Sequence, residues 1–423
     1  MCEKNQKYNV IDLFSGAGGL SEGFMQTGKY NFLSHIEWEI PMVNTLRNNL
    51  IKRWGYSENK ALESVIRFDI QKTDELINGS WKKETIEKYS KDNSKIIKDK
   101  GLNGIIKNQT VDVIIGGPPC QAYSIAGRAQ DPNSMRDDYR NYLFESFVKI
   151  VDFYKPSVFV FENVPGILSA RPGNQLVIER IFTAFEQIGY QIRTPKLMKQ
   201  SIYSAVDYGV PQERKRVIIF GVKNDSKIKL EDLYKVLNDL KENCSKVTVK
   251  EAIGDMAKFK PLEKPYKKGR RNISHEMVGT EELTQHISRY VNLRDISIYR
   301  EWILKDMNYV STIEKLQYYQ SKIGKRTNHN KYRNLEWNKP SPTIVSHLYK
   351  DGHMFIHPDP EQARSITIRE AAILQSFPKD YEFIGSDAYC YKMIGNAVPV
   401  LFAKKIGEAV TIILDKSKEC GCK

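Results

Sequence analysis

One of the chain's six cysteines sits in a segment built to hold it. In Gly116-Gly117-Pro118-Pro119-Cys120-Gln121 two prolines, each with fixed φ, stiffen the approach to a thiol at the end of the apolar run VDVIIGG. A core cysteine usually lies within an apolar face. Cys120 instead follows a rigid loop, the placement of a thiolate nucleophile. Glu162 directly follows a second apolar run, SVFVF, and a half-hidden carboxyl there can keep a proton near neutrality and act as donor or acid. Before a third run, VIIFGV, stands Gln212-Glu213-Arg214-Lys215-Arg216. In extended chain Gln212, Arg214 and Arg216 share a face, and guanidinium groups there could hold a base carbonyl, a phosphate or the loop bearing the cysteine. None of the seven histidines is near Cys120 in sequence, which argues against a cysteine hydrolase.

A second set of residues points to a nucleoside cofactor. The run YNVIDLF at 8–14 leads into Phe14-Ser15-Gly16-Ala17-Gly18-Gly19, where glycines allow close backbone approach and the following helix offers its free amide groups. Ser21 occupies the place of the third glycine of G-x-G-x-x-G, so a dinucleotide is disfavoured. Glu37, 21 residues beyond Gly16, is spaced to take both hydroxyls of a ribose, and Trp38 beside it could stack on adenine. Asp69 and Ile70 would add an acceptor and an apolar wall for the base.

These residues all fall just after short apolar runs: 8–14, 31–38, 111–117, 157–163 and 216–222. Runs of this kind alternating with helical stretches predict an α/β fold, a doubly wound sheet whose ligands gather at the carboxyl ends of the strands. At 423 residues, two lobes are expected. The first is 1–224, with a lysine-rich surface insertion at 71–110, helical or mobile. In the second, 225–338, the βα rhythm is lost and basic clusters appear at Lys264–Arg271 and Lys322–Arg333, a basic lobe expected to face the Cys120 pocket across a DNA-sized cleft. The segment 339–423 then completes the first lobe with an amphipathic helix packing back on it. Lys and Arg total 65 against 51 acidic residues, a net charge of +14 that suits a polyanionic partner such as nucleic acid. Scattered cysteines without a signal peptide, lipidation signal or spanning apolar run predict a cytoplasmic protein with reduced thiols and no membrane contact. Cys420 and Cys422 form a lone C-x-C, short of the four ligands zinc wants, so no metal is assigned.

In the order DLFSGAGGL, HIEW, FDI, GGPPCQAYS, MRDDYRNYLF, FENVPG, PQERKRVIIFG, TIREAAILQSFP and GNAVP, the chain resembles the bacterial DNA (cytosine-5) methyltransferase family of restriction-modification systems. The resemblance covers nearly the whole length, excepting 71–110 and 225–338. It implies a Rossmann-like S-adenosylmethionine-dependent methyltransferase fold with a smaller inserted target-recognition domain. Cys120 matches the family's catalytic cysteine and Glu162 the glutamate of its ENV motif. Arg214 and Arg216 match the pair that helps hold the cytosine and the active-site loop. Phe14, Gly16, Gly18, Glu37, Trp38, Asp69, Ile70, Pro118, Leu143, Asn396 and Val398 match positions lining the S-adenosylmethionine pocket, and Ser15, Ala17 and Gly19 belong to the same glycine-rich loop. The implied partner is double-stranded DNA, bound by a monomer, with Ser124–Arg136 as a lid over a flipped cytosine. A cognate restriction endonuclease acting on the same site is a further implied partner. A departure from the family pattern is QAYS after the prolines, where a small residue and Phe often follow the Gln. A transfer-RNA methyltransferase of the same fold and a catalytically silent nucleic-acid-binding module remain the competing readings.

Overall fold

The computed structural model describes residues 7–89, 96–119, 143–241, 246–280 and 282–419; Cys120 and the expected lid Ser124–Arg136 lie outside them. Two compact units emerge. Unit one comprises 1–209, 215–245 and 397–423, and unit two comprises 210–214 and 246–396.

Unit one is built on an eight-stranded sheet. β1 (Tyr8–Leu13), β2 (Tyr30–Glu37), β3 (Val65–Arg67), β4 (Val113–Gly116) and β5 (Val158–Asn163) pair in parallel in the order β3-β2-β1-β4-β5. Beyond β5 the sheet turns antiparallel: β6 (Tyr190–Gln191) and β7 (Ile202–Ser204) both pair with the long β9 (Lys215–Lys223), which pairs with β5, while β8 (Gln212–Glu213) stands off this sheet in unit two. β4 and β5 are buried along their whole length, which is why they read as unbroken apolar runs rather than alternating ones. Succession reverses between β1 and β4, and in such sheets the crevice at the carboxyl ends of those strands is where ligands bind. This is the Rossmann-like arrangement.

Two glycines fix how the ends of unit one meet. A Cβ on Gly23, in helix Gly19–Met25, would lie 2.5 Å from Lys404 N and 2.6 Å from Val400 O of helix Val400–Glu419. The two helices therefore touch backbone to backbone. Tyr30 reinforces the seam by donating its hydroxyl to Gly407 O at 2.7 Å.

β2 carries one residue more than its partner β1. Val10 pairs with Phe32 and Ile11 with Ser34, which leaves Leu33 as a bulge. Residues five apart in a regular strand face opposite ways. The extra residue reverses that parity, so His35 stacks on Phe32 at 4.8 Å and Glu37 shares their face.

The described residues of the 71–110 segment include three short helices, and the segment is not confined to the surface. Helices Thr73–Asn78, Lys83–Tyr89 and Gly101–Ile106 bury Ile77, Tyr89, Leu102 and Ile106 in the main core cluster, joined by Trp81 from the connection between the first two. Phe68, just after β3, packs on Trp81 at 5.4 Å and on Tyr89 at 5.0 Å between ring centroids. The lysines between these positions lower the segment's mean hydropathy and conceal its apolar stripe.

The units also divide the chain elsewhere than at 224/225 and 338/339. Helix Leu230–Lys241 packs on unit one: its Tyr234 meets Phe220 at 5.0 Å, and Arg193 pairs with Glu231 while lying 3.5 Å over the Tyr234 ring. At the other end, 339–396 clusters with unit two, and only the residues from Ala397 return to unit one.

Unit two carries an antiparallel hairpin, β10 (Lys258–Lys268) and β11 (Arg271–Val278), and a short parallel pair of β8 with β12 (Ser341–Pro342). Its interior is organised by buried charge. Arg364 grips both oxygens of Glu370 at 2.7 and 2.6 Å, and Glu370 caps the helix Ile368–Leu374 through the amide of Thr367. Arg369 donates to the carbonyls of Thr284 and Tyr381, each at 2.8 Å. No helix among the described residues is long and apolar enough to cross a membrane.

Two expectations follow. Gly23→Ala should gain about 1 kcal/mol of helix propensity, yet lose more at the seam, for a net destabilisation of about 1–3 kcal/mol in urea unfolding. A stabilised variant would mean the backbone contact yields freely. The second concerns acid. Burial holds the His275 imidazole down to about 4, and burial beside Arg364 holds that of His357 down to about 3. Both stay neutral when folded and take protons on unfolding, so stability is full above the ordinary histidine value and falls as pH drops through 6.5. For Glu370, burial would raise the carboxyl, but the Arg364 charge outweighs it and the group is depressed, adding a further loss below about 4.5. The urea midpoint should therefore drop between pH 7 and pH 5 by an amount on the order of 2 kcal/mol per histidine. Equal midpoints would show that neither imidazole is sealed from water.

Candidate active site and cofactor crevice

Where β1 ends, Phe14, Gly16 and Gly18 all take positive φ (59°, 56° and 83°), so the chain coils back on itself before helix Gly19–Met25. Phe14 leans on the main core cluster, which includes Ile70 and Leu143. Ser15 donates its amide to Ile36 O at 3.1 Å, and its hydroxyl lies 3.2 Å from the carbonyls of both Asp12 and Ile36. Ala17 is buried. Gly19 must be glycine because a Cβ would sit 2.5 Å from Val398 O, so the GNAVP segment abuts the loop through Val398. Asn396, two residues earlier, ends helix Asp387–Asn396 of unit two and is exposed.

The Glu37 carboxylate is the loop's anchor. It accepts the amides of Gly16 at 2.8 Å, Trp38 at 2.7 Å and Glu39 at 2.9 Å. Burial pushes this carboxyl above its usual range, against the opposing pull of those amides. A carboxylate has roughly four lone-pair sites, so about one is left for a ribose hydroxyl rather than the two required by the sequence expectation. Trp38 is 48% exposed, with the Lys88 ammonium over its ring at 5.7 Å from the centroid. Phe68 N donates to Glu37 O at 3.0 Å, which brings Asp69 to the same edge of the sheet; the Asp69 carboxylate accepts the Gln71 amide at 3.2 Å.

At the end of β5, Glu162 is 8% exposed and pairs with Arg216 Nε at 2.7 Å. The antiparallel register of β5 and β9 sets this pair, with Glu162 opposite Ile218 and Asn163 opposite Val217. The Glu162 carboxyl group therefore faces the Arg216 guanidinium. The loop after β4 runs against the other oxygen: a Cβ on Gly117 would be 2.7 Å from Glu162 Oε2. Asn163 donates to Pro118 O at 3.1 Å, pinning the chain two residues before Cys120.

Arg214 behaves differently from Arg216. It is 1% exposed and spends Nη1 on Ile344 O and Nη2 on Gly395 O, both at 2.8 Å, within unit two. Its two terminal nitrogens grip backbone inside unit two, whereas Arg216 pairs with Glu162 inside unit one. Alternation along one extended strand would put both on one face, but β8 and β9 belong to separate ladders.

Sequence reasoning also passed over Asn163, Gly117 and a buried cluster beneath the loop. Ser21 Oγ bonds to Asp12 Oδ2 and lies 3.1 Å from His35 Nδ1, all three residues being buried. The residue that disfavoured a dinucleotide turns out to tie β1, β2 and the first helix together. Its signal was a hydroxyl where a packing glycine was due.

Comparisons with known proteins agree with this geometry. The profile of the C-5 cytosine-specific DNA methylases matches residues 68–411. Type II methyltransferase M.Bpa9945I of Bacillus paralicheniformis is 34% identical over 450 residues, covering 96% of this chain and 99% of that protein. M.DdeI of Desulfomicrobium norvegicum is 32% identical, covering 95% and 88%. Among solved structures, one described as a prophage-encoded DNA modification methyltransferase (E. coli) has a TM-score of 0.59 at 25% identity, covering 97% of this chain and 100% of its own. The Entamoeba histolytica methyltransferase EhMeth, TM-score 0.54 at 15% identity with 97% and 99% covered, shares the fold. A sheet that reverses at a glycine loop, a carboxylate paired beside a pinned proline loop and a profile match over most of the length converge, and the chain belongs to the C-5 cytosine-specific DNA methylase family.

Proposed function

We propose that the protein is a DNA (cytosine-5-)-methyltransferase that modifies one cytosine within a specific duplex sequence, with Cys120 as nucleophile and S-adenosylmethionine as donor. The observation that carries the reading is the Glu162–Arg216 pair against Gly117, with Asn163 holding the backbone that leads to Cys120. S-adenosylmethionine, when bound, supplies a methyl group on an electrophilic sulfonium. The crevice suits it: glycines at positive φ, one lone-pair site left on Glu37 and a half-exposed Trp38 ring.

The chemistry asked of the chain's own residues is as follows. C5 of cytosine is a weak nucleophile until the Cys120 thiolate adds to C6 and makes the 5,6 bond an enamine. Glu162, oriented by Arg216, would hydrogen-bond N3 and the exocyclic amine and so stabilise charge building on the ring. C5 would accept the methyl group as its bond to the sulfonium breaks and a neutral thioether departs; the C5 proton would then pass to a base and Cys120 would be eliminated. A stacked base is out of reach, so the cytosine must flip out at a cost of a few kcal/mol. The type II relatives support a place in a restriction-modification system; an endonuclease for the same site, a cytoplasmic location and a monomeric state belong to the same proposal. The basic 225–338 stretch would choose the sequence. DNA rather than transfer RNA is favoured by that stretch and by the family match.

Cys120→Ser should abolish methyl transfer to duplex DNA while leaving S-adenosylmethionine affinity near wild type, and a duplex carrying 5-fluorocytosine at the target should trap a covalent complex with the unaltered enzyme. Transfer persisting above a few per cent would remove Cys120 from the mechanism. Glu37→Ala should weaken S-adenosylmethionine binding by about 2–4 kcal/mol, because one charge-assisted bond is lost and the amides of Gly16, Trp38 and Glu39 are released. An unchanged dissociation constant in calorimetry would place the ribose elsewhere.

A further inference from the structure

The β10–β11 hairpin is anchored at one end and idle at the other. At its base Phe259 is buried, stacks on His286 at 5.0 Å and donates its amide to Gln362, while His275 contacts Gln362 O at 2.9 Å and Ser274 Oγ accepts the Val291 amide at 2.9 Å. Then the ladder breaks: Leu262–Pro265 lie opposite the single residue Ser274. Beyond the break Tyr266, Lys267 and Lys268 pair with Ile273, Asn272 and Arg271, and no residue of this tip is buried. The turn is Gly269-Arg270, two residues with positive φ on the glycine, the geometry of a tight hairpin.

Such a tip does not stabilise the fold. A bare two-stranded ribbon is marginal in water, and Lys268 lies directly across from Arg271, a like-charge pair that opposes pairing. Five cations fall within 264–271. Of these only Arg271 has an acidic partner among the described residues, Asp387 at 3.2 Å, and both side chains of that pair are more than half exposed. Tyr266, 53% exposed, stands among them. By contrast Lys322, in the second basic cluster, is already paired with Glu301 at 2.7 Å.

We propose that this tip is the part of the enzyme that enters the major groove of duplex DNA, with Lys264, Lys267 and Lys268 on phosphates and Arg270, at the turn, on a base edge. The inference rests on the DNA methyltransferase reading and adds to it the recognition element. A two-stranded ribbon fits the width of the major groove. Lysine is a compact point charge suited to phosphate, whereas the guanidinium fork reads guanine through two hydrogen bonds. Arg270 is the cation farthest along the ribbon from its anchored base, and so the one placed to reach the groove floor.

The test uses the full chain, with S-adenosylmethionine affinity as the control for an intact first unit. Lys267→Ala with Lys268→Ala should shallow the slope of log affinity for duplex DNA against log salt by about two units, without changing which sites are methylated. Arg270→Ala should relax the methylated sequence at one position, seen by bisulfite sequencing of DNA from cells expressing it, with discrimination there falling roughly 10-fold or more, and Arg270→Lys should not restore it. If the wild-type chain methylates duplex DNA while both variants keep its salt slope and its sites, the hairpin is not the reader. Tighter binding of the tip to single-stranded DNA or transfer RNA than to duplex would also overturn it. A wild-type chain that methylates no duplex would overturn this inference together with the reading beneath it.

Discussion

Two glycines that leave no room for a side chain hold the catalytic unit to itself. Gly19 lies against the Val398 carbonyl and Gly23 against Val400, Lys404 and the Ala403 methyl group, so a helix from the start of the chain touches a segment nearly four hundred residues later with no side chain of its own between them. Contact that close has little tolerance, since any added atom meets main chain that cannot rotate aside. The cofactor loop inherits its position from this seam, because the loop ends at Gly18, the residue that starts the packed helix.

A second regularity is that the motif residues divide by how much of their bonding capacity the protein itself consumes. Arg214, Arg364 and Arg369 are buried and committed to carbonyls or to Glu370, and Asn163 is committed to Pro118. Glu37 is nearly so. Burying an ion or amide is tolerable only when its partners are supplied, and here they are mostly backbone groups left over at strand and helix ends. Glu162 and Arg216 are the contrasting case: each is satisfied chiefly by the other, at a site bordered by a residue without a side chain, so a base competing for Glu162 would disturb one ion pair and no fold.

Much of this was legible in the sequence. Strands β1, β2, β4 and β5 coincide with apolar runs that the sequence displays, and the amphipathic pattern near the C-terminus is the helix Val400–Glu419. What stayed hidden has physical reasons. Arg214 and Arg216 look equivalent because two-residue periodicity says nothing of which sheet a strand joins. The core role of Trp81, Tyr89 and Leu102 was masked by intervening lysines. The Leu33 bulge, which turns Glu37 to its working face, leaves no trace in composition, since every residue around it is equally buried. Unit boundaries were misplaced where a basic, βα-poor stretch was equated with a separate body; Leu230–Lys241 is held to unit one by Tyr234 and Arg193, a fact of packing.

The discontinuity of unit one bears on how the chain is made. Its first 209 residues leave the ribosome with β1 and β2 complete, yet their partner helix begins only at Val400, after unit two has been synthesised. At typical translation rates of about 5–20 residues per second, that interval lasts roughly 10–40 s. Throughout it the face bearing Gly23, Phe24 and Tyr30 has no native cover, and unpaired apolar surface on that timescale is what chaperones bind. The enzyme's biogenesis therefore depends on late arrival of a single helix, and vectorial synthesis, rather than the intrinsic speed of sheet formation, sets when the catalytic unit can close.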